Sequence, residues 1–278
     1  MTVIVEPAPA KINLALHVRR RRDDGYHELE TLFAFCRDGD VVTVERAGAT
    51  SLTLTGPFAK ILAGEVQDDN LVMRAARGFV ARFGVEGDHA ITLDKHLPVA
   101  SGIGGGSADA AATLRALAKL HGVAVDHPEL FALAGELGAD VPACLLGRIA
   151  LGQGKGDALQ PLASLGDRPV LLVNPGVGVS TAAVFARWDG VDRGGLGEGD
   201  VWAMAAAGRN DLEPPARALA PAIDTVLALL AQAPGGVLSR MSGSGATCFA
   251  VFESVEARDA AARAAMTQGW WGLPTFLS

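Results

Sequence analysis

The chain of 278 residues has no excess of basic charge, no long apolar run and very few cysteines, lysines or tyrosines. Each shortage removes a class of function. Lysine and arginine number 24 against 31 acidic residues, a net charge of −7, so no broad cationic surface awaits a nucleic-acid backbone. The longest apolar stretches, such as Thr225 to Ala231, fall far short of the roughly 20 residues a membrane helix needs. Neither nucleic acid nor membrane is an expected partner. Met1 to Pro7 carries no basic segment, and Glu6 and Pro7 end its apolar run, unlike a secretory leader. Cys36, Cys144 and Cys248 lie more than a hundred residues apart with no Cys-x-x-Cys and no zinc spacing, which reads as reduced thiols in a cytoplasmic protein. Lysine occurs only at positions 11, 60, 95, 119 and 155, and Tyr26 is the sole tyrosine, so each can be weighed singly.

What is present is core material. Hydrophobic residues make up 49% and charged ones 20%, enough apolar surface to offset the entropy of ordering the backbone. Alternation predicts a half-buried strand over 11–18, with Lys11, Asn13, Ala15 and His17 on the face opposite Ile12, Leu14, Leu16 and Val18. Further strands are expected over 27–36, 40–46, 51–55, 89–97, 169–174, 237–241, 247–252 and 270–276. Helices are expected over 71–83, 108–121, 128–137, 181–188, 218–231 and 255–266, with a short piece opening at Asp140, and Asp69 with Asn70 reads as a helix cap. Residues 151–157 suggest a hinge or hairpin and 190–200 a mobile glycine loop. The succession reads as α+β, in two domains meeting near residues 150–160.

The strongest chemical signal is Gly102-Ile-Gly-Gly-Gly-Ser107, set between a strand and an alanine-rich helix. Glycines let backbone N–H groups approach an anion, and a helix N-terminus favours negative charge, so this reads as a phosphate cradle. It has neither the Gly-Lys-Ser/Thr ending of a P-loop nor dinucleotide-fold spacing; the plain alternative is a flexible connection. Asp140, just ahead of Val141 and Pro142, suits either a helix N-cap or a general base. Lys11 and Asn13 share a face that is either solvated or turned into a pocket. Tyr26 and His27 offer a stacking face and a ring nitrogen after a turn, though packing accounts for such residues more often. Ser242-Gly-Ser-Gly-Ala246 fits a tight hairpin or a second anion contact.

Together these segments resemble the GHMP kinase superfamily. The likeness runs through Pro9-Ala-Lys-Ile-Asn-Leu14, Asp24-Gly-Tyr-His-Glu-Leu-Glu-Thr-Leu-Phe33, Asp69-Asn-Leu71, Leu97-Pro98 with the glycine loop, Gly138-Ala-Asp-Val-Pro142 and Ser242-Gly-Ser-Gly-Ala246, nearly the whole chain. It implies a two-domain architecture, with an N-terminal ATP-binding lobe over 1–155 like domain 2 of ribosomal protein S5 and a ferredoxin-like substrate-side lobe over 156–278. It implies ATP and Mg2+, with no residue fixed by motif as a metal ligand. Gly-Tyr-His-Glu-Leu-Glu-Thr points to a branch whose acceptor is a small molecule, a cytidine diphosphate-linked methylerythritol phosphorylated in the non-mevalonate isoprenoid route.

By that resemblance Lys11 and Asp140 are catalytic. ATP falls to Asn70, Lys95, Pro98, Val99, Ala100, Ser101, Gly102, Ile103, Gly104, Gly105, Gly106, Ser107 and Ala108. Asn13, Tyr26, His27, Thr181, Phe185, Gly243, Ser244 and Gly245 fall to the acceptor, with Tyr26 and Phe185 sandwiching cytosine. Ile103 and Ala108 depart from the usual Leu and second Ser, and Ala108 removes one hydroxyl from the loop. A monomer or weak homodimer is expected. The competing readings are a homoserine or mevalonate type of kinase, whose small acidic substrate gives Tyr26 nothing to stack on, and a non-catalytic nucleotide-binding module.

Overall fold

The computed structural model describes residues 2–62 and 70–278; Asp69 of the expected cap lies outside them. The chain forms two compact units and passes from one to the other more than once. The first comprises residues 1–10, 38–99 and 104–147, and the second 11–37, 100–103 and 148–278.

Two long strands, β1 (Val3–Arg21) and β2 (His27–Ala47), open the chain, followed by β3 (Ser51–Thr55) and the short α1 (Ala59–Leu62). The expected break within β2 does not occur. Gly39 carries the strand straight through, because a Cβ there would stand 2.1 Å from the carbonyl oxygen of Ala8 in β1. The glycine marks a close backbone approach in place of the expected gap between strands.

In the first unit, β4 (Asp88–Asp94) pairs antiparallel with residues 41–47 of β2 and parallel with β3. Four helices complete it: α2 (Leu71–Phe83), α3 (Gly105–His121), α4 (Pro128–Leu137) and α5 (Val141–Leu146). Asn70 caps α2 by accepting from the Val72 N–H at 2.9 Å. Val72, Ala75, Ala76 and Phe79 form the buried stripe of α2, and α3 buries nearly every alanine from Ala108 to Ala118. Small side chains let α2 and α5 approach α3 closely.

In the second unit, β5 (Ala150–Gly154) pairs with residues 29–33 of β2 and forms a hairpin with β6 (Ala158–Pro161), as the glycines of 151–157 suggest. Four more strands, β7 (Arg168–Asn174), β8 (Gly236–Met241), β9 (Cys248–Phe252) and β10 (Trp271–Leu277), run antiparallel in the order β10-β7-β9-β8. Helices α6 (Thr181–Ala186), α7 (Val201–Ala207), α8 (Glu213–Leu219), α9 (Ala222–Gln232) and α10 (Val255–Thr267) belong to this unit. Its core joins Leu171 and Val173 to Ile223, Val226, Leu230, Phe252 and Ala261. The single helix expected over 218–231 is two, because Pro221 lacks the N–H that a continuous helix needs. None of the three buried cysteines forms a disulfide, and burial pushes the Cys248 thiol far up.

Acid should loosen the first unit. His121 Nδ1 faces the Arg46 guanidinium at 3.3 Å, and His121 Nε2 lies 2.8 Å from His89 Nε2. Arginine can only donate, so His121 accepts at Nδ1 and donates from Nε2, and both rings are neutral. Burial, then the charge of Arg46, lowers the pKa of each. With folded pKa values below the ordinary histidine value, stability is lost as pH falls through 6.5, at no more than about 1.4 kcal/mol per pH unit for each proton. Urea midpoints should therefore drop from pH 7.5 to pH 5.5, and His121→Gln should reduce that drop; an equal drop in the variant contradicts the assignment.

Candidate active site

The glycine loop ends sooner than alanine content predicts. Gly105, Gly106 and Ser107 form the first turn of α3, with Gly104 at its N-cap, so only Pro98 to Gly104 is loop. Residues Ser101 to Ile103 lie inside the second unit. The carbonyl of Ser101 accepts from Thr247 N–H, that of Gly102 from the Ser242 hydroxyl at 2.9 Å, and that of Ile103 from Lys11 N–H at 3.0 Å. Gly102 has φ of +78°, and a Cβ would stand 2.6 Å from the Ser242 carbonyl and 2.7 Å from that of Gly245. The Ser242–Ala246 turn thus packs against residues 101–103, which takes it beyond a plain hairpin. Ser242 also accepts from Asn13 N–H.

Lys11 is buried, at 2% exposure, so the solvated-face reading of its strand fails. Its Nζ donates to Asn13 Oδ1 at 3.1 Å. The Asn13 amide donates in turn to Thr31 Oγ1 at 2.7 Å, and Thr31 donates to the Ala15 carbonyl. This chain of bonds fixes the amide of Asn13 so that its oxygen faces the ammonium. Thr31 and Ser242 therefore orient Lys11 and Asn13, although nothing in their local sequence singles them out for that role.

His27 lies against Phe185 of α6, ring centroids 4.8 Å apart, and meets Trp188 edge-on at 5.7 Å. Burial and the charge of Arg21 lower its pKa, so the ring is neutral at pH 7, and its Nε2 is buried with no partner among the described residues. Tyr26 is 55% exposed, with Lys155 Nζ 5.0 Å above its ring. Thr181 Oγ1 lies 2.8 Å from Ser244 Oγ. Trp188 and Lys155 escaped sequence reading; the scarcity of lysine was the one signal that pointed to Lys155.

The 190–200 segment, expected to be mobile, is fastened to its own unit. The Arg19 guanidinium bonds Asp192 and Glu30, and Glu30 accepts from Leu196 N–H. His17 Nε2 accepts from Arg209 N–H, which leaves Nδ1 to donate to the Gly194 carbonyl at 3.1 Å.

In the first unit, Asp140 stands at the N-cap of α5 but makes no capping bond to the helix. The capping role that competed with catalysis is therefore absent. Lys95 is buried, its ammonium 2.5 Å from Asp40 Oδ2 and 2.7 Å from Asp109 Oδ2. It lies below the start of α3, since a Cβ on Gly105 would stand 3.1 Å from its Nζ. Burial alone pulls the Lys95 pKa down, but Asp109 and Asp40 together outweigh it and the net direction is up. Among the described residues no cluster of three or more histidine, cysteine or acidic side chains forms a metal site.

A glycine turn that opens a long helix can hold a phosphate group on its backbone amides. The description "GHMP kinases N terminal domain" matches residues 70–148, and "GHMP kinases C terminal" matches residues 201–269. A 4-diphosphocytidyl-2-C-methyl-D-erythritol kinase of Rhizorhabdus wittichii is 57% identical over 276 residues, covering 98% of this chain and 94% of its own. A crystal structure of 4-(cytidine 5'-diphospho)-2C-methyl-D-erythritol kinase superposes with TM-score 0.80 at 36% identity, covering 99% of each chain. A homoserine kinase from Cytophaga hutchinsonii, at 20% identity, TM-score 0.73 and coverage of 100% of this chain and 95% of its own, shares the fold. The chain belongs to the GHMP kinase family and is an enzyme that transfers a phosphoryl group to an alcohol. No helix among the described residues is long and apolar enough to cross a membrane.

Proposed function

We propose that the enzyme transfers the γ-phosphoryl group of ATP to the 2-hydroxyl of 4-diphosphocytidyl-2-C-methyl-D-erythritol, in the non-mevalonate isoprenoid route. The observation that carries this reading is the full-length identity of 57% to a kinase of that name. The neutral His27, set against the Phe185 and Trp188 rings with an unpaired ring nitrogen, supports it, because such a group can bond the edge of a nucleobase. Tyr26 and Phe185 stack on cytosine, and Asn13, Thr181 and the Gly243–Gly245 turn hold the rest of the acceptor. Residues Pro98 to Ala108 hold the ATP phosphates and Asn70 lies toward adenine, with the nucleotide served by 1–155 and the acceptor side completed by 156–278. Lys95 supports the loop from beneath.

Asp140 accepts the proton of the acceptor hydroxyl as its oxygen bonds to the γ-phosphorus and ADP departs. Lys11 orients that hydroxyl. Mg2+ bound with the nucleotide would supply neutralisation of the phosphate charge. The enzyme works in the cytoplasm as a monomer or weak homodimer, on small molecules only.

Incubation with ATP, Mg2+ and the cytidyl substrate should release ADP, whereas homoserine or mevalonate in its place should release none; the reverse overturns the proposal. Cytidine nucleotides should compete with the acceptor. Since a base–aromatic stack contributes about 1–3 kcal/mol, Tyr26→Ala should raise the acceptor KM by about 5–150-fold while leaving the KM for ATP alone.

A further inference from the structure

The cluster beneath the glycine loop holds two carboxylates and one ammonium, all inaccessible to solvent. The two acids are not equivalent. Asp40 accepts from Lys95 on Oδ2 and from the backbone N–H groups of His96 and Leu97 on Oδ1, at 2.5 Å and 2.8 Å. Asp109 accepts from Lys95 alone, and its Oδ1 has no hydrogen-bond partner among the described residues. A buried anion needs donors, and a neutral acid loses far less on burial. A single proton shared between these two acids therefore belongs on Asp109.

Position gives that proton a consequence. Asp109 lies within the first turns of α3, and the cluster sits below the helix start that opens toward the loop's ligand. With both acids ionised the cluster carries one net negative charge under a site that must take a polyphosphate; with Asp109 protonated it carries none. We propose that Asp109 is a positioning residue of the phosphate loop that binds nucleotide in its protonated form, so that ATP binding draws a proton onto the enzyme. This deepens the functional reading above and rests on it.

Burial, opposed by Lys95 and assisted by the negative charge of Asp40, pushes the Asp109 carboxyl up to about 7, where an approaching anion shifts it readily. The other charges around α3 are engaged or turned outward. Arg115 and Lys119 pair with Glu6, Arg74 and Arg77 on α2 are exposed, and His96 pairs with Asp94 at the surface. Arg82 of α2 pairs with Glu129 and Glu136 of α4, and Asp140 stands at the start of α5.

The test measures the Kd of adenosine 5′-(β,γ-imido)triphosphate from pH 6 to pH 8 for the wild type and for Asp109→Asn, which keeps shape and cannot ionise. The ratio of the two constants removes the titration of the nucleotide itself. It should rise with pH by about three- to thirty-fold, the span expected when one buried charge appears near the phosphates. A flat ratio overturns the proposal. Calorimetry of the wild type at pH 8, in buffers of different ionisation enthalpy, should show net proton uptake on binding, and no uptake overturns it without any variant. If the wild type binds no nucleotide at all, the functional reading fails instead.

Discussion

Asp140→Asn should lower kcat by about 10²–10⁴-fold, the usual range for losing a general base, with the KM for ATP little changed. The change removes no helix cap. Asp140 occupies an N-cap position, where an acid commonly contributes about 1 kcal/mol by bonding the first free amides, yet its side chain makes no such bond to α5. Equal thermal midpoints for variant and wild type would therefore separate lost chemistry from lost structure. Alignment of the hydroxyl and neutralisation of charge supply the rest of the rate. Turnover that survives Asp140→Asn nearly intact would remove Asp140 from the mechanism.

How far the chain could be read in advance depended on whether the deciding force was local. Helix α2 runs over 71–83 and α4 over 128–137, as periodicity and caps predict. Both are amphipathic segments whose caps lie beside them in sequence. The errors came from contacts distant in sequence. Nothing near Gly39 reveals that β1 passes against it, so one continuous strand reads as two. Helix α3 begins at Gly105 despite two glycines in its first turn, because the loop's other end is pinned by Thr247, Ser242 and Lys11. The site divides in the same way. Lys11, Asn13, Tyr26, His27, Thr31 and Ser242 all stand in short motifs, whereas the orienting roles of Thr31 and Ser242, and Trp188 altogether, show only through the partners that folding brings to them. Asp109 is the one acidic residue of the alanine-rich α3.

Lys95→Met should destabilise the enzyme by about 3–5 kcal/mol at neutral pH, the penalty typical of removing one partner from a buried ion pair. Methionine fills much of the same volume, so loss of packing is the smaller part of that figure. The larger part is electrostatic. Asp40 and Asp109 stay buried together, and the backbone bonds to Asp40 cannot replace a cation that faces both acids. The pH dependence distinguishes the two contributions. Without Lys95, which opposes the rise, the folded-state pKa of Asp109 climbs further above its unfolded value. Stability is then retained where both acids are protonated and is lost as pH rises. Urea midpoints for wild type and Lys95→Met should accordingly converge toward pH 5 and separate toward pH 8. A lost packing contact would give a constant gap instead, and that result would mean that the ammonium does not hold the two carboxylates together beneath the loop.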